Sequence, residues 1–269
     1  MRDEVPRQLI VTADDMGLYA PWDEAIARAH DRGIVTSTSI ATTGQTFGNA
    51  VRILQNEGLD HGVHLDLLDG TPLSSAAEIP SLVDDRGRFR SLRALLVRFA
   101  SGRVRPAEVE REWSRQIARA IGEGLRPTHL NGHFHLHVLP GIFRVAVRLA
   151  TRFGIRWIRM PDEPPWFALR ASGGTPRRIA RTAILCMLSW AQRGSAKMSA
   201  LRHADCREGA TCVRAWPGTL QDIHGELTEI FCHPGQSASE TAALMSSEVR
   251  RAIDERFRRT SFRDIHGVS

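Results

Sequence analysis

The chain has 269 residues, 36 basic and 30 acidic side chains, and a formal net charge of +6. This length allows one large α/β domain or two small ones, and the ordinary charged fraction of 25% excludes wholesale disorder. The positive charge is concentrated between Arg156 and Arg214, where there are eleven basic residues and four acidic ones. A nucleic-acid-binding protein is not favoured, because these basic residues form no recognised motif and do not interleave with aromatic residues.

Hydrophobic patterning predicts strands that alternate with helices. Strands are predicted at 8–13, 34–42, 62–68, 128–138, 155–160 and 227–233, and helices at 22–32, 46–57, 91–99, 106–122, 141–153 and 238–259. Such alternation predicts a parallel α/β sheet or barrel. We expect a single domain over residues 1–269, with a basic, partly helical insert at about 161–215, where the pattern is weakest.

Two adjacent carboxylates, Asp14 and Asp15, follow the first apolar strand. Successive side chains point to opposite sides of a strand, so one carboxylate can bind a metal while its neighbour handles a proton. An N-cap for the helix at 22–32, or a simple turn, would also explain the pair.

The densest group of histidines lies at 128–138. In an extended chain the odd-numbered positions share one face, and they hold His129, Asn131, His133, His135 and His137. Residues two apart in a strand are separated by roughly 6.5–7 Å, so consecutive members cannot readily share one ion. We expect one of them to bind a metal, while the others orient substrate or support the ligands.

Two further histidines lie on other predicted strands. His64 shares a strand face with Asp66, and His233 ends the last strand at a Pro-Gly turn. A parallel sheet would bring His233 beside the aspartate pair, where a histidine suits general-acid catalysis near neutral pH. Each histidine alone could be structural. Together, two histidines and one carboxylate, with a spare carboxylate and a spare histidine, predict metal-assisted hydrolysis.

The chain resembles the YdjC-like family of carbohydrate deacetylases in five motifs, LIVTADDMGL, GIVTSTS, GVHLDL, PTHLNGHFHLHVLPGIF and FCHPG, in the order and spacing of that family. The resemblance covers residues 8–160 and resumes at about 226–235. It implies a distorted (β/α) barrel related to polysaccharide deacetylases. It also implies removal of the acetyl group from an N-acetylated amino sugar with a divalent metal ion.

The resemblance also implies roles for individual residues. Asp15, His64 and His133 would bind the metal, Asp14 would be the general base, and His233 would be the general acid. We place four further residues in the substrate cleft, namely Asn131, His135, His137 and Arg159. Zn²⁺ or Mg²⁺ would suit the ligand set best, and Mn²⁺ or Co²⁺ would fit as well.

Two segments, PSLVDDRGRFR at 80–90 and IRMPDEP at 158–164, resemble the hopanoid-biosynthesis branch of the family. That resemblance implies a glycosyl-hopanoid lipid carrying N-acetylglucosamine as the substrate. The sequence departs from the branch at about 200–216, which leaves the acceptor lipid open. Soluble chito-oligosaccharides are the alternative substrate, and a non-enzymatic basic binding module is a more distant alternative.

The basic insert contains a candidate interfacial helix at 175–194. Arg177, Arg178 and Arg181 precede an apolar stretch from Ala183 to Ala191, which is too short to span a bilayer. We therefore expect peripheral contact with an anionic membrane, and a helix packed on the barrel with solvated arginines is the alternative. The cysteines form no CxxC motif and no apolar signal precedes the first strand. We expect a cytoplasmic protein that can lie on the inner face of the membrane.

Overall fold

A computed structural model describes residues 7–164, 166, 175–198, 200–208, 220 and 222–265. Its strands are β1 (Arg7–Met16), β2 (Ser37–Ile40), β3 (Asp60–Leu65), β4 (His129–Gly132), β5 (Trp157–Ile158), β6 (Asp205–Glu208), β7 (Leu227–Cys232) and β8 (Phe257–Arg259). Its helices are α1 (Ala20–Asp31), α2 (Phe47–Glu57), α3 (Leu92–Ala100), α4 (Pro106–Gly122), α5 (Ile142–Arg152), α6 (Pro176–Met198), α7 (Ala238–Leu244) and α8 (Ser247–Asp254). A short 3₁₀ segment, His133–Val138, follows β4.

The strands form one parallel sheet in the order β5-β4-β3-β2-β1-β7-β6, and β8 pairs with the first residues of β1. Parallel neighbours require crossover connections, which α1 to α5 supply between β1 and β5. The sheet is curled, because a parallel bridge between Trp157 and Arg202 joins the β5 edge to the chain that leads into β6. The predicted α/β fold of distorted-barrel type is thereby confirmed.

The core explains why these segments became strands and helices. In β1 every residue from Leu9 to Met16 is buried, as expected for a strand covered on both faces. Helix α5 buries an apolar stripe at helical spacing, which includes Phe143, Val147 and Ala150. All strands run the same way, so their carboxyl ends lie at the same edge of the sheet.

Two predicted elements differ from the structure. The predicted extended segment 128–138 is wrong beyond Gly132, because Phe134 (φ 49°) and His135 (φ 57°) adopt left-handed backbone conformations that turn the chain. The predicted helix 238–259 is also wrong as one element. The Ser246 side chain accepts a hydrogen bond from Val249 N and so begins a second helix, and the chain ends this region as strand β8.

The basic insert is partly described. It contributes helix α6 and strand β6, which pairs with β7 at the sheet edge, whereas 167–174 and 209–219 lie outside the described residues. No helix in the described ranges is long and apolar enough to cross a membrane. That residues 1–269 form a single domain stays a prediction.

Candidate metal centre and active site

The carboxyl ends of four strands bring the principal site residues together. Asp14 and Asp15 lie near the end of β1, His64 lies in β3, and His133 follows β4. The β1–β7 register pairs Ala13 with Cys232, which puts His233 beside Asp14 at the next position. The sheet topology therefore gathers groups that are far apart in the sequence.

A bulge in β1 lets neighbouring carboxylates serve the same site. The β1–β2 register advances three residues along β1, from Ala13 to Met16, while it advances two along β2. Asp15 takes the extra place in a left-handed conformation with φ 70°. A non-glycine residue in this conformation costs of order 1–3 kcal/mol, and such strain is concentrated at functional sites.

Three ligand atoms form a compact triangle. Asp15 Oδ1 lies 3.1 Å from His64 Nε2 and 3.0 Å from His133 Nδ1, and the two ring nitrogens are 3.2 Å apart. Ligands of a divalent ion with bonds of about 2.1 Å are about 3.0 Å apart at right angles and about 3.4 Å apart in a tetrahedron. The three buried groups therefore fit a metal ion.

Each ring, when neutral, presents a lone pair to this triangle, because its other nitrogen carries the hydrogen and is bonded elsewhere. Asn131 Nδ2 donates to Asp14, so Asn131 Oδ1 faces His64 and accepts from its Nδ1–H at 2.8 Å. The Nε2–H of His133 donates to Asp69 Oδ2 at 2.9 Å. Such outer hydrogen bonds fix the tautomer of a metal-binding histidine. Three acceptors that face one another require a cation between them.

Contacts within this cluster shift the pKa values of Asp15 and His133. Burial disfavours the charged form of each group, but the hydrogen bonds of Asp15 with both histidines hold its pKa well below the usual range. For His133, burial lowers the pKa, yet the carboxylates of Asp15 and Asp69 raise it to about 10. A proton holds the site together when no metal is bound, and a metal ion must displace that proton.

Asp14 is oriented by a separate set of partners. Its Oδ1 accepts hydrogen bonds from Ser39 Oγ and Asn131 Nδ2, both at 3.0 Å, and from Arg159 at 2.9 Å. Burial would raise the pKa of Asp14, but the Arg159 guanidinium outweighs it and keeps the pKa well below its usual range. Asp14 is therefore a carboxylate that stays ionised, adjacent to the ligand triangle and outside it.

Arg159 follows β5, and its fully buried side chain reaches residues of β1 and β7. Its guanidinium also binds Glu229 on β7 at 2.6 Å and lies 4.8 Å above the ring of Phe231. These contacts occupy the side chain, and its predicted role in substrate binding stays a prediction.

His233 is half-buried at the end of β7. It lies close enough to Asp14 for its charge to lower the pKa of that carboxyl, and its ring meets Phe231 at right angles with centroids 5.9 Å apart. Its backbone N–H donates to Glu240. A histidine held at this rim can exchange a proton with a bound substrate.

The structure separates the five alternating residues at 129–137, so the prediction that they share one face is wrong. His133 enters the triangle and Asn131 supports it, but His129 stacks on Phe262 in the core with ring centroids 4.2 Å apart. His137 is fully buried, and its Nε2–H donates a hydrogen bond to the Arg159 carbonyl oxygen at 2.9 Å. Burial lowers the pKa of His137 to about 3.

His135 is more than nine-tenths buried, and its ring meets Phe231 with centroids 5.0 Å apart. Burial, aided by the positive charge of Arg159, keeps the pKa of His135 well below its usual range. The substrate roles predicted for Asn131, His135 and His137 stay predictions.

An open cleft of about 820 Å³ adjoins the triangle at Asp69. It is lined by segments 68–72 and 86–91, and by Asp84 and Tyr19. On the turn after β4, the ring of Phe134 is 54% exposed and meets the His133 ring at right angles, with centroids 4.8 Å apart. The cleft and this aromatic ring give a substrate both polar and apolar surface beside the site.

The chain matches the YdjC-like protein family over residues 8–255. It belongs to that family. The carbohydrate deacetylase of Mus musculus is 31% identical over 250 residues, covering 85% of this chain and 78% of the mouse protein. The carbohydrate deacetylase of Brevibacillus brevis is 35% identical over 160 residues, covering 59% of this chain and 60% of that protein.

A solved protein of Enterococcus faecalis V583, named for cellobiose-phosphate cleavage, has the same fold. Its TM-score is 0.72 at 25% identity, and the match covers 96% of this chain and 98% of that chain.

Sequence reasoning missed several residues of this YdjC-like site. Glu229 carried a signal, since a lone acid within the apolar strand LTEIFC needs a buried partner. Ser39 sits on β2 among other small polar residues and carried no distinctive signal. Asp69 and Gln236, whose Nε2 donates to Asp15 at 2.6 Å, lie on loops whose paths depend on tertiary contacts.

Proposed function

We propose that this chain is a metal-dependent deacetylase that hydrolyses the acetamide of an N-acetylglucosamine-type sugar to acetate and a free amine. The observation that carries the proposal is the ligand triangle of Asp15, His64 and His133, with Asp14 and His233 beside it on neighbouring strands. The carbohydrate deacetylases among its relatives support the same chemistry.

The residues divide the reaction between them. Asp15, His64 and His133 would hold one divalent ion, which when bound acidifies a water molecule and polarises the acetyl carbonyl. Asp14, kept ionised by Arg159, accepts a proton from the attacking water. The water oxygen bonds to the acetyl carbon, the carbon–nitrogen bond breaks, and His233 donates a proton to the departing nitrogen.

The finer proposal is that the sugar is borne by a hopanoid lipid. Its support is the branch resemblance of 80–90 and 158–164, because the first segment lines the cleft and the second contains Arg159. A soluble chito-oligosaccharide is the second candidate, favoured by the open cleft beside Asp69, where sugar units beyond the reacting one could lie.

Acetate release from chitobiose and from an N-acetylglucosaminyl lipid in vesicles tests both the deacetylase reaction and the choice between a soluble and a lipid-borne substrate. We expect Asp14→Asn to abolish most turnover while bound metal is retained, and His133→Ala to lose both metal and turnover. His224→Ala, an exposed histidine ahead of β7, is the matched control and should behave as the wild type. Normal turnover by Asp14→Asn would refute the mechanism. Acetate release from chitobiose alone would favour the soluble substrate.

A further inference from the structure

Helix α6 presents an apolar stripe to solvent. Ile184, Met187 and Trp190 are 53%, 61% and 72% exposed. At 100° per residue these three positions fall within an arc of about 120° on one side of the helix. Large apolar side chains that are exposed together in this way indicate a surface that binds a protein partner or a membrane.

The opposite side of α6 fixes the helix on the fold. Thr182 and Ser189 are buried, Leu185 and Leu188 pack against the core, and Ser189 Oγ donates to the Pro161 carbonyl at 2.9 Å. Spacings of three and four residues put these anchors on one face. The stripe therefore cannot turn inward without breaking this packing, and it stays directed away from the sheet.

The charge of α6 indicates what the stripe meets. Residues 175–198 contain four arginines, one lysine and no acidic residue, and Arg193 is paired with Asp162 outside the helix. Arg177 is exposed in the first turn, and Arg178 follows it in sequence. A second copy of the chain would bring an equally basic helix against this one, which is unfavourable, whereas anionic phospholipid headgroups complement it. A helix that carries both exposed apolar residues with a tryptophan and arginine side chains is typical of helices that lie in a bilayer interface.

We propose that α6 is an interfacial helix that docks this protein on an anionic phospholipid bilayer through Ile184, Met187 and Trp190. Helix α6 also lies against the turn that follows His133, since Arg181 and Leu185 line a small cavity with His135. Docking therefore holds the deacetylase site close to the bilayer surface, and this benefit to a lipid-borne sugar rests on the proposed function.

Sedimentation of the full chain with phosphatidylcholine vesicles, with and without phosphatidylglycerol, tests the docking. We expect binding only when phosphatidylglycerol is present. The variant Ile184→Ser/Met187→Ser/Trp190→Ser should bind about tenfold or more weakly, because it removes the inserted apolar surface. Arg177→Gln/Arg178→Gln should weaken binding about fivefold per arginine at low salt and lose its effect at high salt.

Matched controls alter exposed residues elsewhere. Leu96→Ser/Val97→Ser on α3 controls for lost apolar surface, and Arg103→Gln/Arg256→Gln controls for lost charge; both should bind as the wild type. Circular dichroism and the melting temperature establish that each variant is folded. Equal vesicle binding by the wild type and the folded stripe variant would overturn the proposal. A wild-type dimer that ignores vesicles and becomes monomeric in the stripe variant would overturn it in favour of a second copy.

Activity separates this proposal from the proposed function. We expect the stripe variant to release acetate from chitobiose at the wild-type rate and to slow only on the vesicle-borne glycolipid. Vesicle binding by a wild type that deacetylates neither substrate would refute the proposed function and leave the docking surface intact.

Discussion

Replacing Arg159 by methionine leaves two carboxylates buried without their common cation. The side chains of Arg159, Asp14 and Glu229 are 0%, 2% and 1% exposed, so water cannot take over the lost contacts. Removing one partner of a buried ion pair typically destabilises a protein by about 3–5 kcal/mol. Since whole domains are stable by about 5–15 kcal/mol, we expect Arg159→Met to fold marginally at neutral pH.

The pH dependence of this loss follows from Asp14. Its pKa in the folded wild type is below that of an unfolded aspartate, about 3.9, so it contributes stability above that pH and loses it as the pH falls. Without Arg159, burial instead raises the pKa of Asp14, and the carboxylate opposes folding when it is charged. The difference in unfolding free energy between wild type and variant should therefore be largest near neutral pH and shrink below about pH 4.

Urea unfolding of both proteins at a series of pH values measures this difference. Glu229→Gln in the Arg159→Met background removes one of the two stranded charges, so it should recover part of the stability, whereas Glu229→Gln alone should not stabilise the wild type. A loss below about 1 kcal/mol, or one that does not change with pH, would refute the argument, since that is the range of exposed ion pairs.

Three further predictions concern the metal centre and its rim. Asp69→Asn should weaken the affinity for the metal ion about 10–100-fold, because it removes the carboxylate that orients His133. Titration of the metal-free protein with the ion measures this affinity, and an unchanged value would contradict the prediction. With EDTA present to remove metal, the raised pKa of His133 should stabilise the folded protein fully below about pH 6.5, and this stability should be lost as the pH rises towards 10. A melting temperature that does not change over this pH range would contradict the prediction. Phe134→Ala should raise KM more than it lowers kcat, because the ring offers substrate an apolar face; Phe134→Tyr is the control, and an unchanged KM would argue against substrate contact.

The positions of the principal groups were predictable because parallel sheets collect strand ends. Asp14, His64 and His233 each have a structural alternative when taken alone, but polar residues at the ends of several buried strands together predict a shared site. Strand order follows from short right-handed crossovers, which leave few alternatives. The sequence therefore contained enough to predict which groups meet.

The backbone turns that aim these groups were not predictable. Asp15, Phe134 and His135 adopt left-handed conformations without being glycine, which is uncommon for any such residue, although aspartate and histidine enter this region more readily than phenylalanine. Only tertiary contacts stabilise such residues, here the bonds of Asp15 to His64 and His133. For the same reason the alternating pattern at 129–137 suggested an extended strand, although the chain leaves the sheet after Gly132.

The bulge at Asp15 explains how two adjacent carboxylates acquire different chemistry. The alternation expected from the sequence would make Asp14 and Asp15 face opposite sides of a regular strand, so it does not by itself explain how both reach the strand-end site. The left-handed turn keeps both at the site but gives each different partners, namely Arg159 for Asp14, and His64 and His133 for Asp15. The Arg159 guanidinium keeps Asp14 ionised without a metal partner, although the lowered pKa also makes this carboxylate a weaker base. The strained bulge at Asp15 thus allows two consecutive residues to take the two roles proposed for them, proton acceptor for Asp14 and metal ligand for Asp15.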